Sequence, residues 1–199
     1  MDELGLKSRI RRPKGYSSYR GKVSTIAPNV LKRQFKPEES NQVWVSDVTE
    51  FRVHGKRIYL SPIMDLHDRS ILSYRLSFSP TVKFAVDSLE DAVKKHHPDA
   101  KTMVHTDQGF QYQHKTWREV IKKFGGTQSM SRKGNCYDNA VMENFFGHLK
   151  SEMYHGAYFA SIDEFYKRVD QYINWYNNHR IQLGLDGLTP AERRIRSLQ

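Results

Sequence analysis

The chain has 199 residues, a formal net charge of +10 and 38% hydrophobic residues, which suits one domain with appendages and a buried core. No run approaches the roughly 18 to 20 apolar residues that span a bilayer, and the N-terminus has no apolar stretch like a signal peptide's. One cysteine, Cys136, excludes a disulfide framework and a thiolate zinc cage, so a reducing cytoplasm is expected.

Residues 1–40 lack sustained periodicity and read as a basic arm and linker ending in KPEESNQ. Residues 1–36 hold ten Lys/Arg, among them Arg9, Arg11, Arg12 and Lys14, against Asp2 and Glu3. The other 163 residues carry a net of only +2. Basic residues interleaved with Tyr, Ser and Gly suit a phosphate backbone, although a solvated tail would share that composition.

From Val43 the period becomes two. VWVSDVTEFRV places Val43, Val45, Asp47, Thr49, Phe51 and Val53 on one face of a single strand. A turn at His54-Gly55-Lys56, then RIYLSPIMD, then ILSYRLSF after the turn LHDRS, predict an antiparallel meander. Apolar residues at helical spacing over 81–97 stop before Pro98. TMVHTD predicts a short buried strand, HKTWREVIKKF a helix and GTQSMS a fifth strand. The basic loop RKGN, with Arg132 and Lys133, leads to helices over 137–154 and 161–179, the second opened by a Ser161/Glu164 capping box. The order predicts an α/β, ribonuclease-H-like mixed five-stranded sheet flanked by helices. A core over 41–155 would be followed by a helical extension over 156–199.

Three acids stand where an acid has no ordinary structural reason to be. Asp47 lies mid-strand on an apolar face, unless it caps a bulge or meets a buried arginine. Asp107 closes TMVHTD, and ligands gather at the carboxyl ends of parallel strands; an Asx turn before Gly109 would also use it. Glu143 borders the apolar stripe Met142, Phe145, Phe146, Leu149 and Met153, aligned with Asn139, Gly147 and Lys150; a surface acid pairing with Lys150 would also fit. Asp138 reads as an acid at the helix dipole, Glu152 as a solvated one, and Asp65 and Asp68 as structural. Converging carboxylates repel unless a cation holds them, and all-oxygen ligands select Mg²⁺ or Mn²⁺. Two such ions about 4 Å apart suit in-line phosphoryl displacement.

WVSDVTEF, HTDQGFQY, SRKGNCYDNAVMENFFGHLKSE and YINWYNNHRIQLGLDGLTPAE resemble the DDE integrase core of bacterial insertion-sequence transposases, the B-frame type with a retroviral-integrase-like core. The resemblance covers about residues 20–195, and its 35-residue gap between Asp107 and Glu143 is the superfamily's spacing. It implies that Asp47, Asp107 and Glu143 bind two divalent ions and catalyse DNA strand cleavage and transfer. Lys150 would hold terminal DNA, Asn139 would order the site's first turn, and Asn139, Arg132, Lys133 and the arm residues would stand on the DNA side. It further implies element ends and target DNA as partners, a homo-oligomer on that DNA, and a cytoplasmic, nucleoid-associated site of action.

Residues 1–22 resemble only the end of the helix-turn-helix segment that usually precedes such cores. The chain is therefore expected to be truncated there or completed by an upstream-frame protein. The nine histidines show no zinc module. A nuclease of the same fold, and a non-catalytic DNA-binding remnant acting as a regulator, are the alternatives.

Overall fold

The computed structural model describes residues 26–132 and 136–197. Arg9, Arg11, Arg12, Lys14 and Lys133 lie outside the described residues. The meander consists of β1 (Val43–Ser46), β2 (Thr49–Val53), β3 (Lys56–Asp65) and β4 (Ile71–Ser77). The predicted single strand over 43–53 is thus two segments, yet its register is unbroken: Ser46 faces Ile63 and Thr49 faces Leu60 on the same edge of β3. No residue is inserted. The ladder lapses because the Asp47 carboxylate takes the Val48 N–H itself, at 2.7 Å. Counting that bent strand once gives five strands, as expected. The β2–β3 hairpin closes through His54 and Gly55, both at positive φ (48° and 72°), the two-residue turn whose twist matches paired strands.

Helix α1 (Val82–His96) is capped by the Thr81 side chain and ends at His97 in the left-handed region before Pro98. β5 (Met103–Thr106) pairs parallel with β1, and β6 (Thr127–Met130) parallel with β5. Between them come a one-turn helix α2 (Phe110–Gln113), which no periodicity announced, and α3 (Lys115–Lys123). The predicted helix over 137–154 is three pieces: a 3₁₀ turn Cys136–Asn139, α4 (Ala140–Leu149) and a π turn Lys150–Tyr154. The widened turn has a local cause. The Tyr154 hydroxyl donates to the carbonyl of Arg52 (2.8 Å) and accepts its N–H (3.0 Å), covering the outer edge of β2.

α5 (Ile162–Asn178) starts at Ser161, whose hydroxyl accepts from the Glu164 N–H. The Glu164 carboxylate closes the box one residue further back, on the Ala160 N–H. A final helix, α6 (Pro190–Ser197), starts at a second box in which Thr189 and Glu192 bond reciprocally.

The sheet is covered on both faces, as parallel strands require. α4 and α5 pack on the face of Val45, Phe51, Leu60 and Met64. α1 and α3 pack on the face of Trp44, Ile63 and Val104.

The linker corrects the sequence reading. Residues 26–33 are docked on the core: Leu31 is 2% exposed, the Met130 N–H donates to the Pro28 carbonyl along β6, and the Val30 and Leu31 amides both reach the Ser129 hydroxyl. α6 is anchored by Arg194. Its guanidinium bonds Asp65 (2.9 Å), Asp68 (2.8 Å) and the Asn41 side chain (2.8 Å), and both acids are fully buried. Asp65 and Asp68 are structural, as read. Among the described residues no helix is long and apolar enough to cross a membrane.

Candidate active site

Ser46 and Thr106 are the last paired residues of parallel β1 and β5. The next residues are Asp47 and Asp107, so the sheet itself sets two carboxylates side by side at the carboxyl ends of neighbouring strands. Asp47 points to the α4 face, where its Oδ2 accepts from the Asn139 side-chain amide at 2.9 Å. Burial raises the Asp47 carboxyl well above the usual carboxylate range, Asp107 and Glu143 raise it further, and the Val48 N–H and Lys150 pull the other way. Asp107 is raised too, by burial, against a hydrogen bond from the Gly109 N–H (2.8 Å). The Asx turn anticipated at Asp107 therefore exists and orients the carboxylate. A Cβ on Gly109 would fall 2.9 Å from that oxygen and 2.9 Å from Gln111 Oε1, closer than side chains sit.

Glu143 rises from the exposed side of α4, beside buried Met142. Its influence on Asp47 puts the third acid in the same field. Lys150 opens the π turn, with its Nζ 5.3 Å above the Phe51 ring on the Asp47 side of the sheet. Among the described residues no three Asp, Glu, His or Cys side chains are already drawn together tightly enough to enclose a metal ion. The donor chemistry nevertheless fits a hard cation: two half-buried carboxylates and a third from the helix, all oxygen, crowded enough to resist ionising together.

The other expected residues have protein partners of their own. Asn139, expected to order the site's first turn as well as to stand on the DNA side, is buried and gives its amide to Asp47. Arg132 puts its guanidinium and its backbone N–H on Asp138. Asp138 is 1% exposed and bound by Arg33 and Asn29 as well, far more than a dipole partner. Glu152 is exposed, as read, but it is also paired: Arg180 forks onto it at 2.8–3.2 Å and the Tyr172 hydroxyl donates at 2.7 Å. Burial pushes Glu152 up, but Arg180 outweighs it and leaves the group lowered. Sequence reasoning also missed Tyr112, buried beside Ser46 at 3.3 Å and raised by burial, then by Asp47 and Asp107. It missed His105 too, whose signal was a histidine inside the short, largely buried strand MVHT.

Two integrase core domain models match residues 37–136 and 143–198. The protein assigned as transposase InsK of insertion sequence element IS150 in Escherichia coli K12 is 48% identical over 98% of this chain and 68% of its own length. The chain belongs to the integrase-core family of insertion-sequence transposases. The transposase of element IS904 from Lactococcus lactis is 34% identical over 96% of this transposase core and 76% of its own length. A solved HTLV-2 integrase catalytic core domain in complex with magnesium superposes at a TM-score of 0.64, with 14% identity, over 80% of this core and 99% of that chain. A chain of the simian T-cell lymphotropic virus intasome gives 0.64 at 19% identity, over 85% of this core and 59% of that chain. At those identities the viral structures speak for the fold alone, and the fold is that of a retroviral-integrase-like core. The transposase core is a member of a polynucleotidyl transferase family.

Proposed function

We propose that Asp47, Asp107 and Glu143 are the catalytic carboxylates of a Mg²⁺- or Mn²⁺-dependent DNA cleavage and strand-transfer reaction, with two ions at work. The supporting observation is that acids from three distant stretches of chain share one electrostatic field at the carboxyl ends of β1 and β5. Divalent ions bound there supply Lewis acidity at the phosphoryl group and neutralise the charge that builds up in an in-line displacement.

The chain's own residues do the rest. Asn139 and the Val48 N–H fix the Asp47 carboxylate, and the Gly109 N–H fixes that of Asp107. Lys150 offers a cation beside them for a DNA phosphate. Water opens a phosphodiester at an element end and frees a 3′-hydroxyl. That hydroxyl then forms a new P–O bond in a second strand as the old one breaks. The magnesium complex of the HTLV-2 core and the trimeric and dimeric forms in which it was solved support the metal and self-association. A non-catalytic remnant is the weaker reading, because nothing at the three acids has decayed.

The test is a labelled duplex bearing the element's terminal repeats, incubated with the chain and Mg²⁺, Mn²⁺ or EDTA. Nicking and joining only with metal support the proposal; products that persist in EDTA refute it.

Three smaller effects are expected, two from the geometry and one from the charge of residues 1–25. Gly109→Ala should displace the Asp107 carboxylate and weaken Mn²⁺ binding about tenfold by calorimetry, at a stability cost of about 1–3 kcal/mol. Lys150→Ala should lower the slope of log K against log salt for duplex binding by about 0.9, one phosphate contact. Deleting residues 1–25, with seven Lys/Arg against two acids, should lower it several times more. The deletion must stop there, because residues 26–36 are part of the core. An unchanged slope in Lys150→Ala would return that side chain to a packing role over Phe51.

A further inference from the structure

Asp138 takes no part in the chemistry above, yet its carboxylate is the most heavily bonded in the molecule's site region. The Asn29 amide donates to it at 3.0 Å and Arg33 Nε at 2.8 Å, both from the linker. Arg132 adds its backbone N–H (3.1 Å), Nε (3.1 Å) and Nη2 (3.2 Å). The Arg132 bonds above all hold Asp138 far below the usual carboxylate range.

A second line of contacts reaches the same turn from beneath. His105 Nε2 stands 3.0 Å from the Asp138 carbonyl oxygen, and His105 Nδ1 stands 2.8 Å from Ser129 Oγ. That hydroxyl already accepts two amides, Val30 at 3.0 Å and Leu31 at 3.1 Å. A serine oxygen has two lone pairs and one proton. With both lone pairs taken, its proton goes to Nδ1, so Nε2 carries the imidazole hydrogen and donates it to the Asp138 carbonyl. The Ser129 hydroxyl and the His105 ring are then satisfied in one arrangement. The next residue, Asn139, holds Asp47.

We propose that linker residues Asn29–Arg33 are a working part of the active site: through Asp138, and through Ser129 and His105, they fix the turn from which Asn139 positions the Asp47 carboxylate. Asn29, Arg33, His105 and Asp138 are positioning residues in this arrangement. The first line from the linker to Asp47 runs through two contacts, Asn29 and Arg33 to Asp138 and Asn139 to Asp47, joined by the Asp138–Asn139 peptide. The linker follows directly on the basic residues 1–25, so the stretch leading out of the arm is the one that organises the site. This inference rests on the reading of Asp47 as a metal-binding carboxylate. Groups that orient ligands from one bond away are worth about 10- to 100-fold in metal affinity.

Arg33→Ala, alone and with Asn29→Ala, tests it in the full chain, since Arg33 is 43% exposed and its loss leaves the apolar core intact. Two readouts are taken: solvent exchange of the Asn139 side-chain amide by NMR without metal, and Mn²⁺ affinity by calorimetry. We expect faster exchange and about tenfold weaker Mn²⁺ binding, with partial recovery in Arg33→Lys, which restores the charge but only one donor direction. Because the contacts lie in series, Asn139→Ala combined with Arg33→Ala should be no worse than Asn139→Ala alone. Unchanged exchange and affinity in the Arg33/Asn29 double variant, or additive losses with Asn139→Ala, would overturn the proposal. Asp47→Asn that kept its Mn²⁺ affinity would instead count against the metal reading. The Asn139 exchange rate, which involves no metal, would then decide the linkage alone.

Discussion

Asp47→Asn is expected to abolish Mg²⁺- or Mn²⁺-dependent strand cleavage and transfer while making the metal-free protein more stable. The activity loss should reach at least the about 10²- to 10³-fold that removal of one preorganised electrostatic contact costs. Asp107→Asn and Glu143→Gln should behave alike in the same assay. The stability gain has a different origin. Burial raises the folded-state pKa of both Asp47 and Asp107, and Asp107 and Glu143 raise that of Asp47 further, so at these two groups the folded chain binds protons more tightly than the unfolded one. The contribution of these two carboxyls to stability in metal-free buffer therefore falls as pH climbs above about 4, the unfolded carboxylate range. Asp47→Asn removes part of that slope. Asparagine keeps the oxygen that accepts the Val48 N–H, and the Asn139 amide can turn to present its oxygen. A melting point raised by about 2–4 °C for each kcal/mol of relieved repulsion is the readout at neutral pH. Full strand transfer by Asp47→Asn would remove it from the catalytic set. Asp138→Asn and Glu152→Gln cannot serve as neutral controls, since both carboxylates are tied to arginines.

The largest loss of stability should come from Arg194→Met. Its guanidinium lies between two fully buried carboxylates, and removing one partner of a buried ionic group costs about 3–5 kcal/mol because the other charges stay behind. The cost should depend on pH with a definite sign. Asp65 is already raised to about 6, by burial and then by Asp68, and loss of Arg194 removes a group that lowers it. The variant should therefore be most crippled above pH 6 and recover as the pH falls toward 4 and the carboxyl takes up its proton. His96, packed on the same guanidinium, works in the same direction. Burial and then Arg194 lower it to about 4, so it costs the wild-type protein stability as pH drops below about 6.5. That penalty eases in the variant, which adds to the recovery. Urea titrations of both proteins at pH 5 and pH 8 measure it; a loss equal at both pH values would mean that the acid pair carries no net charge to neutralise.

Much of this was legible in the residues, for identifiable reasons. Alternation over 43–53 is local, so it revealed the inward face on which Asp47 sits with Val45 and Phe51. It could not reveal the lapse at Val48, where one side chain takes one amide. The stripe on α4 located Glu143, and the seven-residue step from it located Lys150. The pairing of Asp138 and Glu152 was missed because an acid's partners are invisible until the chain folds: Arg33 is 105 positions from Asp138, and Arg180 is 28 from Glu152. The linker was read as arm because Leu31, a single buried apolar residue, makes no periodic pattern. The Thr189/Glu192 box of α6 was readable in TPAE, but eight residues with one buried position give periodicity little to register.

The distances along the chain have a consequence in time. The β2–β3–β4 meander joins neighbours through short turns and can form as soon as residue 77 is free. The contacts that assemble the carboxylates span 92 residues from Asn139 to Asp47 and 109 from Asn29 to Asp138, and the Arg194 latch spans 129. During synthesis the sheet should therefore be born first and the reactive centre last. The acids are brought together only after the surrounding apolar layers have closed, when their mutual repulsion can no longer divert the fold. A nascent chain stalled before α4 has emerged would carry an ordered meander but no competent centre, which would withhold the DNA-cutting activity until the molecule is nearly complete.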